Sequence, residues 1–372
     1  MGAYLDHAAT TPLRPEVFGA MLPYLWQNCG NPSAMYSSAR AARAALEEAR
    51  GKVATCIGAA ASEICFTSGG TESNNWALQG HGPGSGIVTT KAEHHAVMDV
   101  CSHLETQGVP VTYVDVQPDG SPDLGQIEEA LRQRPSLLSV IYANNEVGTL
   151  SPVAEIAAMA DEHGVPLHTD AVAAAGKVPI DVHAQGISLL SASGHKFGGP
   201  RGCGFLFVRE GLRLPNLLYG GRQERGRRPG TEDVASAVGL AEALMLACRE
   251  IQQETARLKR LRGVLTERLL ALPGVRINGA EGGLPSIVSI LLPGIRSESA
   301  LVFLDARGIE CGAGAACSMG ASRPSHVLTA MGIAPDDAAR ALRISMGRET
   351  GDREIAELIE ALEALIERHR RR

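Results

Sequence analysis

Aromatic side chains make up only 4% of the 372 residues, with six Phe, six Tyr and two Trp. So few π-faces exclude a stacking platform for single-stranded nucleic acid. Basic charge is also short, since 35 Lys and Arg against 41 Asp and Glu leave a net charge of −6. Binding driven by counterion release is therefore not expected, and no direct nucleic-acid partner is predicted. No apolar run approaches the ~20 residues that cross a bilayer, and Met1–Asp6 lacks the basic-then-apolar order of a secretory signal. The eight cysteines form no CxxC pair and show no metal-ligand spacing. Reduced thiols, rather than disulfide staples or a metal site, are the expectation, and with them a cytoplasmic protein without a membrane partner.

What the chain does have is ordinary globular composition, 44% hydrophobic and 20% charged, with 42 glycines. At roughly 150 residues per domain the length predicts two domains. Short apolar runs alternate with helical patterns: 39–57 reads as an amphipathic helix, 63–67 as a strand, then a glycine turn and a helix through Trp76. Further strands are predicted at 86–90, 111–114, 136–142, 165–170, 189–192 and 204–208. Continuous apolar runs such as 136–142 suit strands buried on both faces, so the expected fold class is α/β, a mostly parallel sheet flanked by helices. Beyond about 250 a charged helix pattern over 251–271, a strand at 286–292 and a C-terminal helix with one apolar stripe predict a smaller α+β unit. The Arg368–Arg372 tail suits a solvated helix end, or alternatively a docking surface for an acidic partner.

Lys196, in Ser193-Gly194-His195-Lys196, follows a buried strand at the edge where open α/β sheets bind ligands. A lysine there can form a Schiff base if its amine is held neutral. Asp170 ends another buried strand, where it can cap a helix or keep the pyridine nitrogen of pyridoxal phosphate protonated. Thr67-Ser68-Gly69-Gly70-Thr71 runs from strand to helix start, a place for phosphate on free backbone N–H groups. Together the three elements point to pyridoxal 5'-phosphate (PLP).

The chain resembles the NifS/IscS group of cysteine desulfurases, fold type I PLP enzymes of the class V aminotransferase family. The matching stretches are Tyr4–Pro12, Gly30-Asn31-Pro32, Phe66–Ser73, Glu93-His94, Asn144–Gly148, Ser193–Lys196, Gln223–Thr231 and Ala316-Cys317-Ser318. The resemblance implies a large PLP-binding domain over 16–250 with a seven-stranded sheet, and a small domain from 1–15 and 251–372. It implies that Lys196 holds the cofactor and Asp170 pairs with its ring nitrogen. Gly70, Thr71, Ser193 and His195 would bind the phosphate, with Thr231 reaching the phosphate of the neighbouring subunit in a homodimer. His94 would stack on the ring and help move protons, adjacent His95 being the other histidine in that motif. Asn145 would lie near the cofactor oxygen and the substrate carboxylate. Arg343 would clamp that carboxylate, and is preferred over Arg340 because it sits in an apolar strand-like stretch.

Cys317 lies in a glycine-rich stretch without periodicity, Cys311–Ser322, which predicts a mobile arm. A thiolate there could take the sulfur of bound L-cysteine as a persulfide, release alanine and pass the sulfur to an acceptor protein for iron–sulfur cluster or other sulfur-cofactor synthesis. Cys311 follows a strand-like segment and is expected to be held more rigidly. One position departs from the pattern: Ala173 stands where the family usually has a Gln that donates to the cofactor's phenolic oxygen. A more protonated resting cofactor is expected from that loss. Rival readings are a selenocysteine lyase or aminotransferase of the same cofactor class, and a non-catalytic scaffold.

Overall fold

The computed structural model describes residues 2–80, 86–314 and 324–371. Its centre is a seven-stranded sheet in the spatial order Ile64–Thr67, Gly204–Val208, Leu189–Ser193, Leu167–Asp170, Leu137–Ser139, Ile87–Thr90, Val111–Val114. Only Gly204–Val208 runs antiparallel to its neighbours; the other pairings are parallel. Six of the strands are buried along their whole length, as their unbroken apolar runs require of a sheet covered on both faces. The strand expected over 136–142 is shorter, Leu137–Ser139. Val140 and Tyr142 still donate to the carbonyls of His168 and Asp170, at 3.0 and 2.9 Å, as the chain leaves the ladder.

The charged pattern at 251–271 proves to be the second half of one 37-residue helix, Val234–Leu270. Its first half is rich in alanine and lacks the polar face that makes a helix legible, because it is packed rather than solvated. Ala237, Leu240, Ala241 and Leu244 join the core of the large sheet, whereas Leu258, Leu261, Leu265 and Leu269 join a second core. That second core lies on a four-stranded antiparallel sheet ordered Gly312–Ala313, Ala341–Ser345, Ile287–Leu291, Arg276–Asn278. The C-terminal helix Asp352–Arg370 covers it with Ile355, Leu358, Ile359, Leu362, Leu365 and Ile366, the stripe read from the sequence. Ala3–Tyr4 pairs in parallel with Ile309–Glu310 and draws the N-terminus onto this unit.

A buried ion pair fixes the segment that carries the Gln223–Thr231 motif. Arg50 meets Glu224 through two bonds of 2.6 and 2.8 Å, and Glu224 also accepts from the Phe66 amide at 3.0 Å. Both side chains are 3% exposed. Glu224 and Arg225 adopt positive φ, 47° and 60°, which the pair holds in place.

Candidate active site

The site forms where the parallel strands end. Leu167–Asp170 delivers Asp170, which is 3% exposed. Its Oδ1 accepts from the Val172 amide at 2.9 Å and its Oδ2 from Asn74 Nδ2 at 2.7 Å. The next strand, Leu189–Ser193, ends in a tight turn, Gly194–Lys196, that sets Ser193, His195 and Lys196 beside it. Lys196 Nζ donates to the carbonyls of Ala8 and Ala9 at 2.6 and 2.9 Å. Burial and the Arg343 charge push its amine down to about 8. About a tenth of it is therefore neutral at pH 7, far more than for an ordinary lysine, as a lysine nucleophile requires.

The helix Gly70–Gln79 opens toward Ser193 with no side-chain cap, so its first amides lack intrahelical partners. Gly69 has φ 151°, and a Cβ on Gly70 would lie 2.4 Å from Val172 Cγ2. Both positions therefore call for glycine, for backbone conformation and close approach respectively. His94 begins the helix His95–Thr106, its Nδ1 accepting from the Ala96 amide at 3.0 Å. Burial holds its pKa below the ordinary value. Burial, then the charges of Lys196, Arg201 and Lys177, push His195 down to about 4. Both imidazoles are thus neutral at pH 7, and His94 carries its proton on Nε2, the nitrogen not used by the cap.

Gly70, Thr71, His94, Asn145, Asp170, Ser193, His195 and Lys196 all line one cavity of about 260 Å³, together with Asn74 and Ala173. Arg343 lies outside the lining but is tied to it. It rises from the central strand Ala341–Ser345, is 7% exposed, donates to the Asn145 carbonyl at 3.0 Å and pairs with Asp6 at 2.8 Å. Its Nε has no partner among the described residues. Arg340 is partly exposed and pairs with Asp337 at 3.1 Å. Thr231 is exposed and is not among the cavity-lining residues of its own chain. Cys317 lies outside the described residues. Cys311 is half-buried, and desolvation pushes its thiol pKa up, which disfavours the thiolate.

Sequence reasoning missed Asn74 as the donor to Asp170, although it stands one helical turn after Gly70 in a helix aimed at that strand end. It also passed over Glu93 beside His94. Glu93 is fully buried, and its Oε1 accepts from Thr90 Oγ1 at 2.8 Å and the Ile141 amide at 2.9 Å. Burial pushes this carboxyl up to about 8, with the Asp170 charge adding to the effect, so it is chiefly protonated at pH 7.

The donor set fits pyridoxal phosphate. An uncapped helix start, the hydroxyls of Thr71 and Ser193 and the His195 ring gather at one end of the cavity as phosphate donors. The same cavity is lined by a buried carboxylate, Asp170, and a lysine amine of lowered pKa, Lys196, the two groups that a pyridine nitrogen and an aldehyde call for.

The chain matches the aminotransferase class V domain over residues 3–358. It belongs to that family. The cysteine desulfurase IscS of Methanosarcina thermophila is 43% identical over 99% of this chain and 92% of its own length. The IscS-like cysteine desulfurase of Mycobacterium tuberculosis is likewise 43% identical, over 99% and 97%. A NifS-like protein superposes with a TM-score of 0.93 at 33% identity, over 99% of this chain and all of the other. The NifS-like protein of Rickettsia africae does so with 0.90 at 31%, over the same shares. Within the class V family the chain is therefore a member of the cysteine desulfurase group.

Proposed function

We propose that this protein is a PLP-dependent cysteine desulfurase. It converts L-cysteine to L-alanine and leaves the sulfur as a persulfide on Cys317, for transfer to an acceptor protein in iron–sulfur cluster or other sulfur-cofactor synthesis. The observation that carries this reading is the convergence of eight expected residues on one cavity at the strand ends, in a chain of the desulfurase group. Pyridoxal phosphate bound there supplies an electron sink for charge developing at the substrate's α-carbon.

Lys196 would hold the cofactor covalently and, once released by substrate, take the proton from the α-carbon. Asp170, fixed by Asn74 and the Val172 amide, would hold the ring nitrogen protonated. His94 would lie against the ring, with the Nε2 proton free to be donated. Thr71, Ser193, His195 and the amides at Gly70 would hold the phosphate. Arg343 would clamp the substrate carboxylate beside Asn145, using its unpartnered Nε. The Cys317 thiolate would attack the substrate sulfur as its bond to the β-carbon breaks, and a proton delivered to that carbon completes alanine. The balance is cysteine plus protein thiol in, alanine plus protein persulfide out.

A homodimer with shared sites is part of the proposal. Trp26 is 84%, Met35 91% and Tyr219 88% exposed, a large apolar area for a lone chain. Exposed Thr231 would then serve the partner's phosphate. We divide the chain into a PLP-binding domain over 16–250 and a small domain from 1–15 and 251–372, and assign it to the cytoplasm, where its thiols stay reduced. Incubation with L-cysteine should produce alanine and a persulfide that maps to Cys317. Cys317→Ser should keep cofactor absorbance and lose the persulfide. Sulfide release at the wild-type rate by Cys317→Ser would sink the nucleophile assignment.

A further inference from the structure

The phosphate end of the cofactor cavity is short of positive charge. A phosphate monoester carries about −1.5 to −2 at pH 7. Thr71 and Ser193 are neutral there, and His195, pushed down to about 4, is neutral as well. The start of the helix Gly70–Gln79 offers about half a positive charge. Among the described residues Lys196 is the only lysine or arginine in the lining, and its amine is spent on the aldehyde.

A further cation shares this wall from a neighbouring cavity. Thr71, Ser193 and His195 also line a space of about 360 Å³, together with Thr10, Glu72 and Arg201. Glu72 is taken by Arg228, at 2.9 and 3.1 Å. Arg201 is exposed and has no carboxylate partner among the described residues. Its one hydrogen bond among them runs from Nε to Thr10 Oγ1 at 3.4 Å, which leaves both terminal nitrogens over. The same hydroxyl lies 3.2 Å from His195 Nδ1. Arginine can only donate, so Thr10 Oγ1 accepts from Arg201 and has its own proton to give to Nδ1. The proton of the neutral imidazole is then on Nε2, available to a phosphate oxygen. The mechanism above uses neither Thr10 nor Arg201.

We propose that Arg201 is the countercharge of the cofactor phosphate, donating to it from its terminal nitrogens, and that Thr10 is a positioning residue linking Arg201 to His195. The inference rests on the PLP reading and deepens it, because it makes Arg201 the residue that selects the phosphorylated form of the cofactor by charge. Planar guanidinium and phosphate are suited to such paired bonds.

The test is titration of the apoprotein with pyridoxal phosphate and, separately, with pyridoxal, which has the same ring and aldehyde without the phosphate. Binding is read from cofactor absorbance, without turnover. Arg201 is exposed, so its replacement leaves the core untouched. Arg201→Gln should bind pyridoxal phosphate about tenfold less tightly, as for one lost charge-assisted bond, and pyridoxal as tightly as wild type. Arg201→Lys, which keeps the charge, should bind pyridoxal phosphate more tightly than Arg201→Gln. Thr10→Val should also weaken pyridoxal phosphate and spare pyridoxal. Unchanged affinity for pyridoxal phosphate in Arg201→Gln, or equal losses for both compounds, overturns the proposal while leaving the cofactor assignment standing. A wild-type protein that binds neither compound sinks both.

Discussion

Arg343→Ala tests the substrate clamp most directly. In the free protein the guanidinium is already engaged, Nη2 with Asp6 at 2.8 Å and Nη1 with the Asn145 carbonyl at 3.0 Å, while Nε is unpartnered. A substrate carboxylate taking Nε and one terminal nitrogen would form two charge-assisted bonds. Each is worth about 1.5–3 kcal/mol, or about 3–6 together. One of them must be exchanged against an existing partner, so the lower end applies. About 3 kcal/mol is roughly a hundredfold in kcat/KM. Because the carboxylate is bound alike before and during the chemistry, the loss should fall mainly on KM. Arg343→Lys keeps the charge but not the fork, and should fall between wild type and alanine. Arg340→Ala, whose partner is Asp337 at 3.1 Å, should leave KM unchanged. The assay is alanine formation against L-cysteine concentration, with cofactor absorbance confirming that each variant is loaded. A KM within about threefold of wild type in Arg343→Ala would refute the clamp.

Only the neutral amine of Lys196 attacks an aldehyde, and burial sets its pKa at about 8. The rate at which apoprotein takes up cofactor should therefore rise with pH and level off above about 8, and borohydride should fix no cofactor on Lys196→Ala. A rate flat from pH 6 to 9 would contradict this (about three units spanning the midpoint). Glu224→Ala strands Arg50, 3% exposed, and should cost about 3–5 kcal/mol in urea unfolding, against at most a small effect if the pair were solvated. Ala173 lines the cofactor cavity at 6% exposure, so Ala173→Gln adds a donor there. It should lower the pH midpoint of the bound cofactor's absorbance change, and identical titration curves would remove the idea that Ala173 shapes the resting state.

The large sheet was legible because strands buried on both faces carry unbroken apolar runs, and Asp170 and Lys196 were legible because they end such runs with charge. Arg343 differs from Arg340 in standing within an apolar strand, where an unpaired charge is costly, and it donates to the Asn145 carbonyl at 3.0 Å. Other features leave no local trace. The helix Val234–Leu270 is continuous through residue 250, yet only its second half shows a polar face, because its first half is enclosed by the sheet core. Asn74 and Glu93 matter through what the fold sets against them, a strand end some 96 residues away for one and a buried carboxylate for the other. Groups that act through the chain's own alternation of runs can be read in one dimension. Groups that act through a contact made across the fold, as Asn74 does on Asp170, cannot, because the partner is a property of the assembled structure and not of the residue's neighbours in the chain.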